Sequence, residues 1–207
     1  MIDNLKLIKP LLNFENEGDF YMLYVLKRKK DQPEGERDNH QSVRTIRTYC
    51  IKSIDQLEKR YEEIMMMCEM FNARAYIHVQ KQNHKDVSLN MMVALAQRIQ
   101  DGNHEQQSLF DSVVGQLKTH EKRWIVDIDS KDEIDVHRIA HIIDSIRPDG
   151  PKIEAVIPTK NGYHFITKRF DVLEFNKRMS GYGEIPDIQK KNPTLLYYPN
   201  SLDFSKE

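Results

Sequence analysis

Two carboxylates stand two residues apart in the segment 124–129, which reads Trp-Ile-Val-Asp-Ile-Asp. Its apolar residues predict a β-strand, in which successive side chains point to opposite faces of the sheet. Asp127 and Asp129 then share one face, and the apolar residues that alternate with them share the other. Carboxylate oxygens are the ligands that Mg²⁺ and Mn²⁺ prefer, particularly when the cation also binds phosphates. The spacing predicts that Asp127 and Asp129 are metal ligands; the alternative is an exposed strand edge followed by a helix-start charge.

A second polar cluster follows in the downstream peptide Ile-Pro-Thr-Lys-Asn-Gly-Tyr-His-Phe. The Asn161-Gly162 pair predicts a tight hairpin turn with positive backbone angles, and the glycine also permits close approach of another backbone. Thr159, Lys160 and Asn161 bring hydrogen-bond donors to this turn, and His164 follows on the next strand. Such groups can pair with triphosphate oxygens, which predicts a nucleotide-binding site. A half-buried strand histidine and a solvated Lys160 are the alternatives.

The composition indicates a globular protein but does not indicate a particular binding partner. With 207 residues, of which 39% are hydrophobic and 30% charged, the chain has the composition of a globular protein and room for one substantial domain. The formal net charge of −1 neither supports nor excludes a nucleic-acid partner, because basic residues can gather on one face. Cys50 and Cys68 have no CxxC or disulfide-framework spacing, which indicates reduced thiols in a cytoplasmic protein. No apolar run reaches the length of about 18 residues that a membrane span needs, so we expect no membrane association.

The first half of the chain, 1–122, predicts an α/β unit. A capping box at Ser53–Gln56 predicts the start of its first long helix. A second amphipathic helix is expected over Asp86–Gln100, with Leu89, Met92, Val93, Ala96 and Ile99 facing inward. The remaining predicted elements are strands over Phe20–Lys30, Arg44–Ile51 and Ala73–Gln80 and a short helix or turn over Phe110–Leu117.

The second half, 123–207, predicts the order β-α-β-β-α-β. This is the ferredoxin-like order of RRM-type modules, an antiparallel sheet with two helices on one face and the other face open as the working surface. The predicted elements are strands over Trp124–Asp129, Lys152–Ile157, Gly162–Phe170 and Thr194–Tyr198, a helix opened by a capping box at Ser130–Glu133, and a helix over Val172–Met179. We therefore expect one α+β domain whose RRM-like unit carries both motifs.

Basic residues of the N-terminal half could add a groove for nucleic acid. The run Lys27–Lys30 lies at the end of a predicted strand, and Arg74 and Tyr76 lie on another. Lysine and arginine can follow a phosphate backbone, and tyrosine rings can stack on bases. A solvated charge run is the alternative.

At its two motifs the chain resembles the archaeo-eukaryotic primase superfamily, which comprises primases and primase-polymerases. Members pair an N-terminal α/β unit with an RRM-like catalytic unit. Their first motif is an acid-x-acid on the strand that opens the RRM-like unit, and the triplet 127–129 matches it. Their second motif is often read S-G-R-G-x-H, and Thr159–His164 matches it in spacing. In the family this histidine contacts the phosphates of the incoming nucleotide.

The resemblance implies a metal-dependent nucleotidyltransferase that transfers nucleotides from nucleoside triphosphates on a nucleic-acid template. It implies Mg²⁺ or Mn²⁺ as the cofactor, single-stranded or primed nucleic acid as the second substrate, and replication proteins as possible partners. The implied catalytic residues are Asp127, Asp129 and His164, the metal ligands are Asp127 and Asp129, and the nucleotide-binding residues are Thr159, Lys160, Asn161 and His164.

One family feature is missing from the predicted elements. The family's third motif places an acid on the last strand, whereas the predicted last strand has none, and Asp187 and Asp203 only flank it. A catalytically degenerate module that binds nucleotide or single-stranded nucleic acid is therefore the alternative function. An RRM-like single-strand binder unrelated to primases is less favoured, because no RNP-type aromatic pair lies on a suitable strand.

Overall fold

The computed structural model describes residues 1–32, 35, 43–106, 108–117 and 122–199. Within these ranges the chain has an α+β fold in which all paired strands are antiparallel. The strands are β1 (Ile2–Asp3), β2 (Asp19–Arg28), β3 (Val43–Ile51), β4 (Arg74–Ile77), β5 (Gln82–Asn83), β6 (Trp124–Ile128), β7 (Ile153–Pro158), β8 (Tyr163–Thr167), β9 (Asp187–Gln189) and β10 (Thr194–Tyr198). The α-helices are α1 (Leu5–Ile8), α2 (Ile54–Met70), α3 (His84–Gln100), α4 (Leu109–Gln116), α5 (Glu133–Ser145) and α6 (Val172–Met179).

The larger sheet has the strand order β1-β10-β4-β2-β3, with β5 paired to the start of β2. Residues of β2 alternate between two cores, because neighbouring side chains of a strand point to opposite faces. Tyr21 and Leu23 pack against helix α2, whereas Phe20 and Met22 pack against helices α3 and α4. The sheet is therefore covered on both faces over the first half of β2.

The smaller sheet has the strand order β7-β8-β6-β9. One of its faces packs on helices α5 and α6, where Val126 and Phe165 join the apolar side chains of both helices. Its opposite face is only partly open, which corrects the expectation of a free working surface. Ile125, Ile157 and Ile166 lie on that face and are buried in the same core as the α2 side of the larger sheet. Burying these apolar side chains against the first half of the chain stabilises the contact between the two sheets.

The last predicted strand, Thr194–Tyr198, forms with the expected bounds but in the other sheet. Strand β10 pairs with β4 and β1, and all five of its residues are buried. The fourth strand of the smaller sheet is instead β9, which spans only three residues. Residue 122 therefore does not separate the two sheets, because the chain returns to the larger sheet after β9.

Two polar side chains connect the smaller sheet to the first half of the chain, Asn4 beside the end of β7 and Arg123 before the start of β6. The Asn4 amide is buried and donates to the carbonyls of Pro158 and Leu195, both at 2.9 Å. The Arg123 guanidinium donates to the carbonyls of Leu11 (2.9 Å) and Val79 (3.3 Å). A buried amide is costly unless it is hydrogen-bonded, so the Asn4 contacts fix the end of β7 relative to β10.

Two helix predictions need correction. Helix α5 begins after Asp132, whose Oδ1 accepts from the backbone of Ile134 (2.9 Å), and not after Ser130, whose hydroxyl oxygen accepts from the backbone of Asp132 (3.2 Å). Helix α3 forms, but its predicted inward residues face outward, and the helix packs through its opposite side, where Val87 is buried. The periodicity correctly predicts an amphipathic helix, but both of its sides carry apolar residues. None of the helices in the described part of the chain has the length and apolarity to cross a membrane.

Candidate active site

Asp127 and His164 are direct cross-strand neighbours on the two central strands of the smaller sheet. His164 Nε2 lies 3.3 Å from Asp127 Oδ1, and His164 Nδ1 lies 3.0 Å from the hydroxyl of the buried Thr194. The second carboxylate oxygen of Asp127 accepts from the Gln189 amide (3.1 Å). The hydrogen bond from His164 is the largest influence on the pKa of Asp127 and lowers it below its usual value. Burial opposes this shift, and the charge of His164, the Gln189 hydrogen bond and the charge of Arg28 add to the lowering. Asp127 is therefore held as an oriented carboxylate.

Asp129 follows the end of β6 on the same side as Asp127, two residues further along. It is exposed and makes no hydrogen bond or ion pair within the described residues. Its carboxylate is therefore free for a ligand, in contrast to that of Asp127.

All six predicted site residues line one cleft between the two sheets. The cleft has a volume of about 280 Å³. The smaller sheet and its hairpin contribute one side of the lining, namely Asp127, Asp129, Thr159, Lys160, Asn161, His164 and Gln189. The larger sheet contributes residues that include Arg28, Arg74 and Tyr76, and Lys30 lies just after the end of β2.

The hairpin turn between β7 and β8 differs from the predicted one. Thr159 and Gly162 close it: the Thr159 backbone donates to the Gly162 carbonyl (2.8 Å), and the Gly162 backbone donates to the Thr159 hydroxyl oxygen (3.1 Å). Neither Asn161 nor Gly162 has a positive φ, so the predicted positive backbone angles are wrong. The expected close approach is confirmed, because a Cβ on Gly162 would lie 1.9 Å from the carbonyl oxygen of Ile128. The glycine lets the turn lie directly against the end of the strand that carries the two carboxylates.

Three cationic side chains, Arg28, Arg74 and Lys160, form what we call the basic wall of the cleft. Arg74 is buried and paired with Asp31, and its guanidinium lies 4.3 Å from the ring centre of Tyr198. Arg74 Nε has no hydrogen-bond partner among the described residues. Lys160 belongs to the turn between β7 and β8, and its Nζ lies 5.5 Å from the centre of the same Tyr198 ring. Arg28 reaches the Tyr76 hydroxyl (3.0 Å). Aromatic and polar contacts position all three cations. Lys160 and Arg28 keep donors available to an anion in the cleft, whereas Arg74 is committed to its buried ion pair with Asp31.

The basic wall was only partly visible in the sequence. The run Lys27–Lys30 and Arg74 suggested a groove, but the local pattern could not show that Arg28 and Lys30 lie opposite Asp127. Long-range sheet packing, which no short-range signal records, brings them together.

Strand Thr194–Tyr198 carries no acid, as the sequence shows, but the last strand of the smaller sheet is β9, and it carries Asp187, which was expected only to flank a strand. Asp187 of β9 stands directly opposite Asp127 and is exposed. Directly opposed residues of an antiparallel pair point to the same face. Asp127, Asp129 and Asp187 also line a second cleft on the far side of the carboxylates, beside α5. Strand β9 was not predicted from the sequence, because a strand of three residues shows no periodicity. The other flanking acid, Asp203, lies outside the described residues.

The carboxylates of the cleft fit a divalent cation that is bound partly by the protein and partly by phosphates. Among the described residues no group of three or more histidine, cysteine, aspartate or glutamate side chains is arranged to hold a metal ion. Mg²⁺, however, is commonly bound through one or two carboxylates, with substrate phosphates and water completing its shell. Asp129 with the oriented Asp127 supplies such a pair, and the basic wall supplies a place for phosphates. The residues therefore fit a cation that arrives with a nucleotide, and they do not form an all-protein cage.

The cleft thus combines a carboxylate pair, a strand histidine, a polar turn and a basic wall in one small volume. Such a combination can hold a polyphosphate together with a divalent cation, because each of the two charged species meets groups of opposite sign. In comparisons with known proteins, no family model, no curated protein and no solved structure matches this chain.

Proposed function

We propose that this chain is a metal-dependent nucleotidyltransferase of the primase-polymerase type, acting on nucleoside triphosphates with a nucleic-acid template. One observation carries the proposal: the Asp127–Asp129 pair and the basic residues of the other sheet line the same cleft. A metal-bound triphosphate needs both groups, carboxylates for the cation and positive donors for the phosphates.

The strand order of the smaller sheet supports the resemblance on which the proposal rests. In the order β7-β8-β6-β9, the first and third strands of the unit are central, and all neighbours are antiparallel. Together with α5 and α6 on one face, this agrees with the ferredoxin-like order of an RRM-like unit. Strand β9 also brings an acid to the strand where the primase family has one.

Each residue of the cleft has a role that follows from its contacts. Asp127 and Asp129 would hold Mg²⁺ or Mn²⁺, and the cation would supply positive charge that stabilises the phosphates during nucleotide transfer. Lys160 and Arg28, which line the cleft, would neutralise and orient the triphosphate, whereas the charge of Arg74 is already balanced by Asp31.

Thr159, Asn161 and His164 complete the assignment. The Thr159 hydroxyl accepts from Gly162 and can still donate its own hydrogen, and Asn161 is exposed at the same turn. His164 is engaged at both ring nitrogens, with Asp127 and Thr194. These contacts favour a positioning role, in which His164 orients Asp127, over the phosphate contact that the family resemblance implies.

Nucleotide incorporation tests the proposal. Labelled nucleotides are supplied with single-stranded DNA, with and without a primer, in the presence of Mg²⁺ or Mn²⁺. The Asp129→Asn variant removes a charge without breaking a described contact, so its fold should be unchanged. We expect incorporation by the wild type and a loss of about 100-fold or more in the variant.

Asp149→Asn provides the matched control, because Asp149 is exposed and lies outside the cleft. It should leave incorporation unchanged. Undiminished incorporation by Asp129→Asn would contradict the assignment of the metal ligands.

A second function is favoured by one observation. Both oxygens of Asp127 are already engaged, by His164 and Gln189, as in a module that no longer needs a metal. Such a degenerate module would bind a nucleotide or single-stranded nucleic acid equally well without a divalent cation. Folded protein that binds triphosphate without metal and makes no product would support this function over the first.

A further inference from the structure

Helix α3 presents an apolar stripe to the exterior. Its members are Leu89, Met92, Val93, Ala96 and Ile99, of which the four largest are 53%, 69%, 70% and 54% exposed. They recur at intervals of three and four residues and therefore form one continuous stripe along the helix. The opposite side of α3 packs through Val87, Met91 and Leu95 against the larger sheet and helix α4. A helix that is apolar on both sides is normally covered on both.

The residues bordering the stripe carry no charge. From Val87 to Gln97 the helix has no acidic or basic residue, and Ser88, Asn90 and Gln97 form the polar rim. Charges lie only at the two ends, with Lys85 and Asp86 at the start and Arg98 at the finish. A neutral apolar stripe does not repel a copy of itself, whereas a surface with charge of one sign would.

We propose that a second copy of this chain covers the stripe, with the two α3 helices packed antiparallel about a two-fold axis. An axis between Met92 and Val93 pairs the four stripe residues from Leu89 to Ala96 with one another, as a symmetric contact requires, whereas Ile99 lies opposite Asp86 of the partner subunit at the edge of the contact. Leu89 then faces Ala96 of the partner subunit, a large side chain against a small one, and Met92 faces Val93 of the partner subunit. Ser88 faces Gln97 of the partner subunit at the rim.

The charged ends support the antiparallel direction. In this arrangement the helix start that carries Lys85 lies beside the partner's helix end, which is followed by Asp101. The two helix dipoles also oppose each other, which is the favourable direction for neighbouring helices. None of the stripe residues lines the cleft that contains Asp127, so the contact leaves the candidate active site free.

The mass of the protein in solution tests this proposal. Light scattering after gel filtration, over a range of concentrations, should give a concentration-dependent rise from 24.5 kDa to twice that mass. Met92→Glu places two carboxylates at the two-fold axis and should keep the protein at the monomer mass. Met92→Lys should do the same, because it places two ammonium groups there.

An equal mixture of the two Met92 variants should recover the dimer mass, because opposite charges then meet at the axis. Met66→Glu is the matched control, since Met66 is also exposed but lies on α2, and it should dimerise like the wild type. Circular dichroism checks that the variants are folded, and Val93→Lys provides a second disruption should Met92→Glu fail to fold.

Two results would overturn the proposal. One is a wild-type mass of 24.5 kDa at every concentration up to millimolar, which would mean that another molecule covers the stripe. The other is a dimer that Met92→Glu and Val93→Lys leave intact, which would place the contact on a different face.

Discussion

Replacing Gly162 with alanine should lower both the stability of this protein and the nucleotide incorporation that we propose for it. The added methyl group would lie 1.9 Å from the carbonyl oxygen of Ile128 and 2.9 Å from the backbone nitrogen of Ser130. Both atoms belong to the backbone at the end of β6, so no side chain can rotate away to make room. Because Ile128 and Ser130 flank Asp129, any movement that relieves the clash also moves a carboxylate of the candidate site.

The size of the effect follows from the distances. An ordinary contact of a Cβ begins at 3.4 Å, so the hairpin and β6 must separate by about 1.5 Å. Overpacking that forces a backbone shift costs about 1–3 kcal/mol of folding free energy. A displacement of about 1 Å between reacting groups lowers the rate about 100-fold. Activity should therefore fall by at least that factor in protein that is still folded under assay conditions.

Urea denaturation and nucleotide incorporation measure the two effects separately. Gly115→Ala is the matched control, because Gly115 lies in helix α4 and a Cβ there has no neighbour within 4 Å. Alanine at that helical position should leave activity unchanged and stabilise the protein by about 0.5–1 kcal/mol. Wild-type stability and activity in Gly162→Ala would refute the idea that the glycine holds the turn against the carboxylate strand.

Two further predictions concern titratable groups beside the larger sheet, namely the half-buried His78, which follows β4, and Cys68, which is buried on helix α2. Burial lowers the pKa of His78 from 6.5 to about 4, so the unfolded chain binds a proton that the folded protein excludes. The free energy of unfolding should therefore fall by about 1–2 kcal/mol between pH ~7 and ~5. In urea titrations, His78→Phe should remove this contribution to the pH dependence of stability. Equal pH slopes for the wild type and His78→Phe would contradict the prediction. Burial also raises the pKa of the Cys68 thiol to about 12, so Cys68 should resist alkylation at neutral pH until the protein unfolds, as mass spectrometry of the modified peptides can show. Labelling of Cys68 in the native protein at the rate of an exposed thiol would refute this.

Local patterns predicted most elements but not their partners. The apolar run at 194–198 marks a strand, yet nothing within it distinguishes pairing with β4 from pairing with β6. Helix α3 shows the same limit, because a periodic apolar stripe reveals a helix and not which of two apolar sides meets the core. Such choices depend on contacts between residues far apart in the chain.

The same distinction between local patterns and long-range contacts applies to the residues of the candidate site. The spacing of Asp127 and Asp129 placed both on one face of a strand, because alternation is a local property of strands. Asp187 and Arg28 could not be found in this way. One lies on a strand too short to show a period, and the other is brought into the cleft by the packing of two sheets.

The central claim, that the cleft binds a triphosphate together with a divalent cation, can be tested by equilibrium binding. The affinity of a labelled nucleoside triphosphate is measured by calorimetry with and without Mn²⁺, for the wild type and for Asp129→Asn. We predict that Mn²⁺ increases the wild-type affinity by about tenfold or more, equivalent to about 1.4 kcal/mol, and that Asp129→Asn loses this increase while it keeps the metal-free affinity. Wild-type affinity that is the same with and without Mn²⁺ would contradict the claim and indicate a nucleotide-binding module without metal chemistry.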